Sequence, residues 1–288
     1  MILNGVRISI FFLVFLFLTN FSEQGVPSKA LVLEPIDPPF VNIDDYWVDS
    51  VFKSLTPDER IAQLFMVAAW SNKGDAHVNE IENLIRTYKI GGLIFMQGGP
   101  VRQAKLCNKY QSLSKTPMLI AMDAEWGLSM RLKDSTFRYP YQVMLGAIRD
   151  DDIIYKMGQD IGKQCNRLGV HINFAPVIDI NNNPDNPVIG FRSFGEDRYN
   201  VARKGFVYML GMQDKHVIAT GKHFPGHGDT DTDSHHALPV INHKKERLDS
   251  LELFPFREMI KGGLGAVMIA HLNVPALGTK KNEPTTLS

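Results

Sequence analysis

Lys222 to His236 reads K-H-F-P-G-H-G-D-T-D-T-D-S-H-H, which places four histidines, three aspartates and a lysine within fifteen residues. Asp233 and His235 stand two apart, so in extended backbone their side chains share a side. A carboxylate beside an imidazole fixes its tautomer and favours the protonated form. Such a pair can give a proton to a leaving group and later take one from water. Any single Asp or His here is equally explained by a solvated loop whose acids cap turns; their concentration points to chemistry. Metal binding is the rival. His223, His227, Asp229, Asp231, Asp233, His235 and His236 could all ligate zinc or manganese. Their spacing, however, fits neither H-E-x-x-H nor the Cys/His patterns of structural zinc, and the alternating Asp run lacks the glycine and terminal Glu of an EF-hand loop.

The elements around this stretch must hold it in place. Val217 to Thr220 is a β-branched apolar run of strand length, and Pro225, Gly226 and Gly228 break regular structure behind it. The polar groups are therefore expected on a loop at a strand's carboxyl end. Five similar runs recur at Leu64–Ala69, Gly92–Met96, Met118–Met122, His171–Pro176 and Ala266–Ala270, and the buried strand itself is expected over Val217–Gly221. Helical patterns fall near 77–88, 101–114, 152–168, 198–213 and 248–261. Asp44 to Leu55 reads as a short helix with Trp47, Val48, Val51 and Phe52 on one side, and Thr56-Pro57-Asp58-Glu59 as a helix start. Alternating β and α with apolar strands predicts an α/β fold with a parallel sheet. With no Gly-rich phosphate fingerprint, the pattern favours a TIM-type (β/α)8 barrel, of which about six β-α units are visible.

On a barrel the residues after the strands converge on one mouth. They are Asp123-Ala124-Glu125-Trp126-Gly127 with Arg131, then Gly190-Phe191-Arg192-Ser193-Phe194-Gly195, then the Lys222–His236 loop, then His271-Leu272-Asn273. Charged groups and an aromatic face suit a hydroxyl-rich ring, although an isolated pair such as Asp123 with Arg131 is also explained as a rim salt bridge.

K-H-F-P-G-H-G followed by four residues and D-S-H resembles the signature of the bacterial β-N-acetylglucosaminidase branch of glycoside hydrolase family 3. That resemblance covers roughly residues 45 to 288. It implies His235 as acid/base and Asp233 as its orienting carboxylate. It also implies that Asp123, Arg131, Arg192, Lys222 and His223 line the sugar subsite, with Trp126 standing where the branch more often has Gly. The implied activity is exo-acting removal of terminal β-linked GlcNAc from peptidoglycan-derived or related glycans, by a retaining double displacement without cofactor or metal. A metal-dependent hydrolase, a phosphorylase and a sugar-binding relative without turnover stay open as alternatives. The family's nucleophile is an Asp on a strand later than any here, so the 288-residue chain is expected to stop inside the barrel, to be inactive and to be poorly soluble, with two exposed strand edges.

Lys+Arg and Asp+Glu are equal at 31 each, which gives no electrostatic case for nucleic acid or an anionic membrane. Arg7, the apolar run Ile8–Leu18 and Ser28-Lys29-Ala30 have the layout of a secretory signal peptide. The expectation is a leader over residues 1–30, a barrel domain over 31–288, an exported product (periplasmic or extracellular) and no stable membrane insertion after leader cleavage. Oligomeric state is not legible. Cys107 and Cys165 fall in helical patterns and read as two separate buried thiols.

Overall fold

The computed structural model describes residues 36–38, 45–233 and 237–288; the leader expected over 1–30 and His235 lie outside the described residues. Helix α1 (Tyr46–Ser54) leads into α2 (Pro57–Ala62), whose start is a reciprocal cap. Thr56 Oγ1 accepts from the Glu59 N–H at 3.2 Å, and the Glu59 carboxylate accepts from the Thr56 N–H at 3.0 Å. The apolar side expected of α1 is not covered. Trp47, Val48 and Phe52 are exposed, and the Phe52 ring carries the Arg60 guanidinium at 3.9 Å.

Strand β1 (Met66–Ala69) is followed by α3 (Asp75–Tyr88), β2 (Gly92–Phe95), α4 (Pro100–Leu113) and β3 (Leu119–Met122). Then come α5 (Gln142–Gly146), α6 (Asp151–Arg167), β4 (Ile172–Asn173), α7 (Arg198–Gln213), β5 (Ile218–Phe224), α8 (Lys245–Ser250), α9 (Phe254–Lys261) and β6 (Ala266–Ile269). The six strands form one parallel sheet in chain order, curled into a half-barrel with helices outside. Among the described residues β1 and β6 are its edges, and Val267 and Ile269 on β6 are exposed.

Three boundaries differ from expectation for identifiable reasons. Leu64 and Phe65 form the turn that closes α2, their amides bonded to Ile61 and Ala62 carbonyls, so β1 starts later. The 248–261 helix divides because Pro255 in the first turn of α9 has no N–H to continue a ladder and disfavours helix before it. The loop expected from Lys222 begins later: β5 runs on to Phe224, with a register shift against β6 between Lys222 and Phe224. A bulge of that kind interrupts strict alternation, and Lys222 and His223 both line the cavity described below.

The core lies between sheet and helices. Leu93, Phe95, Ile120, Met122 and Ala219 from the strands meet Tyr110, Ile154, Ile161, Tyr208, Met209 and Phe256 from the helices. Each fully buried aliphatic side chain contributes roughly 1.5–3 kcal/mol. Helices α6 and α7 approach closely because Gly211 has no Cβ; one there would lie 2.3 Å from the Tyr155 carbonyl oxygen. Cys107 and Cys165 are both buried free thiols, each pushed up to about 12 by burial. Among the described residues no helix is long and apolar enough to cross a membrane.

Candidate active site

The end of β3 carries Asp123 and Glu125. Its path is set by Asn173 on β4, which accepts from the Ala124 N–H at 3.0 Å and donates to the Ala124 carbonyl at 3.2 Å. The Tyr208 hydroxyl on α7 adds donation to the Ala124 and Glu125 carbonyls. A glycine at φ 84°, Gly127, turns the chain into a short 3-10 segment that brings Arg131 back to Asp123. The other donors come from two further places. Lys222 and His223 lie near the carboxyl end of β5, and Arg192 ends a 3-10 segment over Gly190–Arg192.

These groups form one continuous chain of charge. Lys222 Nζ donates to Asp123 Oδ1 at 2.9 Å and sits 2.8 Å from Glu125 Oε1. Arg192 grips Glu125 with two parallel bonds, Nε to Oε2 at 2.9 Å and Nη2 to Oε1 at 2.7 Å. Arg192 Nη2 also lies 3.3 Å from His223 Nε2, and His223 Nδ1 lies 2.7 Å from Asp179 Oδ2. Three carboxylates thus alternate with three basic side chains, and the His223 ring stands between Arg192 and Asp179. Burial pushes the carboxyls of Asp123 and Glu125 up, but the neighbouring cations win: Lys222 and Arg131 hold Asp123 low, and Lys222 with Arg192 holds Glu125 far below the usual carboxylate range. Burial holds His223 low, and nearby Lys222 and Arg192 add to that against the pull of Asp179.

The network lines a cavity of about 580 Å³. Asp123, Arg131, Arg192, Lys222 and His223 all contribute to its wall, together with Glu125, Trp126, His227, His271 and apolar Ile94, Phe174 and Met268. Trp126 meets Tyr141 edge-on at 4.9 Å, and Tyr141 contacts the half-exposed Phe191 at 4.3 Å, giving the rim an aromatic flank. His271 reaches the wall from behind β6, whereas Asn273 is spent on the Lys280 and Glu283 carbonyls.

The loop after β5 is anchored at its base. Thr230 Oγ1 pairs with His227 Nδ1 at 2.7 Å, Asn186 donates to the His227 carbonyl at 2.8 Å, and a Cβ on Gly228 would lie 1.7 Å from the Ile180 carbonyl. Asp233 sits at the far end of this loop, half-buried, its carbonyl accepting from Ala237. Among the described residues it is not one of those lining the cavity. The expected Asp233–His235 pair cannot be placed, because His235 is outside the described residues. Among the described residues, Asp229 is the one of these candidate metal ligands that falls in a cluster with metal-like geometry, with His243 and Glu252, ligand atoms within 4.8 Å. Arg247 already donates to both Glu252 oxygens, at 2.6 and 2.7 Å.

Two buried acids were missed as individual site residues. Glu125 lies within Asp123–Gly127, where the sequence pattern assigns it no role of its own. Asp179 carried a usable signal: a carboxylate flanked by Val177, Ile178 and Ile180 in an apolar run demands a buried partner.

Residues 56–288 match the Glycosyl hydrolase family 3 N terminal domain. The chain belongs to glycosyl hydrolase family 3. It is 36% identical over 215 residues to Beta-hexosaminidase A of Pseudoalteromonas piscicida, covering 70% of this chain and 36% of that one. Among solved structures, a family 3 beta-N-acetylglucosaminidase from Paenibacillus sp. str. FPU-7 superposes with a TM-score of 0.76 at 43% identity, over 81% of this chain and 45% of its own. The beta-glucoside phosphorylase BglX bound to 2FGlc gives 0.78 at 25% identity, over 84% and 44%. The chain therefore spans less than half the length of each of these three relatives.

Proposed function

We propose that this chain forms the sugar-binding half of an exported exo-β-N-acetylglucosaminidase acting on peptidoglycan-derived or related glycans. The observation that carries the reading is the unbroken network Arg131–Asp123–Lys222–Glu125–Arg192–His223 around one cavity at the carboxyl ends of β3 and β5. Fixed donors and acceptors on opposite sides of a cavity wall bind a hydroxyl-bearing ring in a single orientation. The names of the relatives support an N-acetylhexosamine as the ring. Export is supported by the Ile8–Leu18 run.

In the proposed reaction a carboxylate attacks the anomeric carbon, and the bond to the aglycone oxygen breaks. Protonated His235 gives its proton to that oxygen, oriented by Asp233. Water then attacks the glycosyl-enzyme, returns a proton to His235 and releases the sugar with retained configuration. Asp123 and Glu125 are committed to cations, and the reading assigns the nucleophile to neither.

The test is turnover of aryl N-acetylglucosaminide and aryl glucoside by the full-length protein, with and without phosphate. Preference for the N-acetyl substrate and free GlcNAc as product in both buffers support the reading. A sugar phosphate product would select the phosphorylase instead, and loss of activity on chelation with recovery in zinc or manganese would select the metal hydrolase.

A further inference from the structure

Asp179 lies behind the cavity wall, 1% exposed, between Ile178 and Ile180. A carboxylate in such surroundings persists only when its oxygens are filled by donors. Here they are. Oδ1 accepts from the His227 N–H at 2.7 Å, both oxygens accept from the His223 N–H at 3.1 and 3.2 Å, and Oδ2 faces His223 Nδ1 at 2.7 Å. An ionised carboxylate accepts and cannot donate, so His223 Nδ1 must carry hydrogen. On the other side of the ring, Arg192 Nη2 stands 3.3 Å from Nε2, and a guanidinium donates and cannot accept. Nε2 must therefore present a lone pair.

We infer that Asp179 is a positioning residue that locks His223 as the neutral Nδ1–H tautomer and makes Nε2 a hydrogen-bond acceptor on the cavity wall. Of the groups facing the ring, Asp179 alone pulls toward the imidazolium, and the cations on the other side oppose it. Lys222 and Arg192 are fixed cations, Arg192 is held in place by Glu125, and the His227 ring stands edge-on at a centroid distance of 6.1 Å. At 3.3 Å the Arg192 hydrogen bond to Nε2 is long and weak, so a ligand group on the cavity side can take its place, accepting the Arg192 N–H and donating to the Nε2 lone pair. A hydroxyl is suited to that place because it accepts from Arg192 and donates to Nε2 at once. An ether, a carbonyl or a fluorine can only accept. The site then reads a free hydroxyl at this position, and Asp179 acts on specificity without touching the sugar. The hydroxyl clause rests on the proposed sugar site; the tautomer does not.

The experiment is nitrogen NMR of the chain labelled in histidine, with the His223 signals assigned by their loss in His223→Gln, and calorimetric titration with GlcNAc. The expected spectrum shows Nδ1 protonated and Nε2 bare from about pH 5 to 8, the range in which an unperturbed imidazole titrates. In Asp179→Asn the amide can keep accepting from His227 while donating to Nδ1, so the tautomer inverts and Nε2–H confronts Arg192. Affinity for GlcNAc then falls at least about tenfold, the scale of one hydrogen bond to a charged group. A wild-type ring that is Nε2-protonated or becomes imidazolium in that range overturns the inference, whatever the variant does. So does an Asp179→Asn protein whose GlcNAc affinity stays within about twofold of wild type. Wild-type chain showing the expected tautomer but no GlcNAc binding upholds the lock and refutes the sugar site.

Discussion

Lys222 Nζ lies 2.9 Å from Asp123 Oδ1 and so ties β5 to β3 across 99 residues of sequence. The same ammonium also serves Glu125, so one buried cation neutralises two acids that would otherwise repel each other at the mouth of the sheet. The lattice of charge is thus a structural element as well as a binding surface.

Removing that cation leaves two carboxylates short of a partner. Lys222→Met should destabilise the fold by about 3–5 kcal/mol, the usual cost of breaking a buried ion pair from one side. Denaturant unfolding measures it. A change under about 1 kcal/mol, the value of an exposed pair, would show that the network carries little.

Acid should loosen the protein in two stages. His223 is held low in the folded state, so below the ordinary value of 6.5 the unfolded chain takes up a proton that the folded ring resists, and stability drops as pH falls. Asp123, Glu125 and Asp179 are also held low. Their contribution is complete above the ordinary values of 3.8 and 4.5 and is lost as pH falls below them. Melting temperature followed against pH should therefore decline from about pH 6.5 and again, more steeply, below about pH 4.5. A rise in melting temperature across either window contradicts the assignment.

The sequence made the barrel legible because buried parallel strands are short apolar runs and covering helices keep a 3.6 period. The runs Gly92–Met96 and Met118–Met122 and the helical pattern near 152–168 needed no tertiary knowledge. Ends were harder. Pro255 splits a helix whose apolar spacing continues through it, and β5 carries polar Lys222 and His223 inside a strand because both are paired across the mouth. The wall residues could be read as strand-end polar groups, yet which acid meets which base could not. Asp123 looked like the partner of Arg131 alone, and the bidentate hold of Arg192 on Glu125 depends on a chain reversal 67 residues away.

The close crossing of α6 and α7 has its own test. Gly211→Ala would push a methyl against the Tyr155 carbonyl and should cost about 1–3 kcal/mol by overpacking. Gly74→Ala, where a Cβ meets nothing within 4 Å, is the control. Thermal unfolding of both distinguishes them, and equal melting temperatures would refute the close approach.

The acid role proposed for His235 predicts a dependence on leaving group. In the full-length protein His235→Ala should lower turnover of a glycan with a poor leaving group by about 10²–10⁴ and spare an activated aryl glycoside. Equal losses on both, in steady-state kinetics, would remove His235 from the proton path.

The most direct measurement is calorimetric titration of the chain with N-acetylglucosamine, beside Asp123→Ala. The account predicts one site per chain in the wild type and affinity weakened at least about tenfold in the variant, the loss expected for charged hydrogen bonds to sugar hydroxyls. Absence of binding by the folded wild-type chain, or equal affinity in Asp123→Ala, would contradict it.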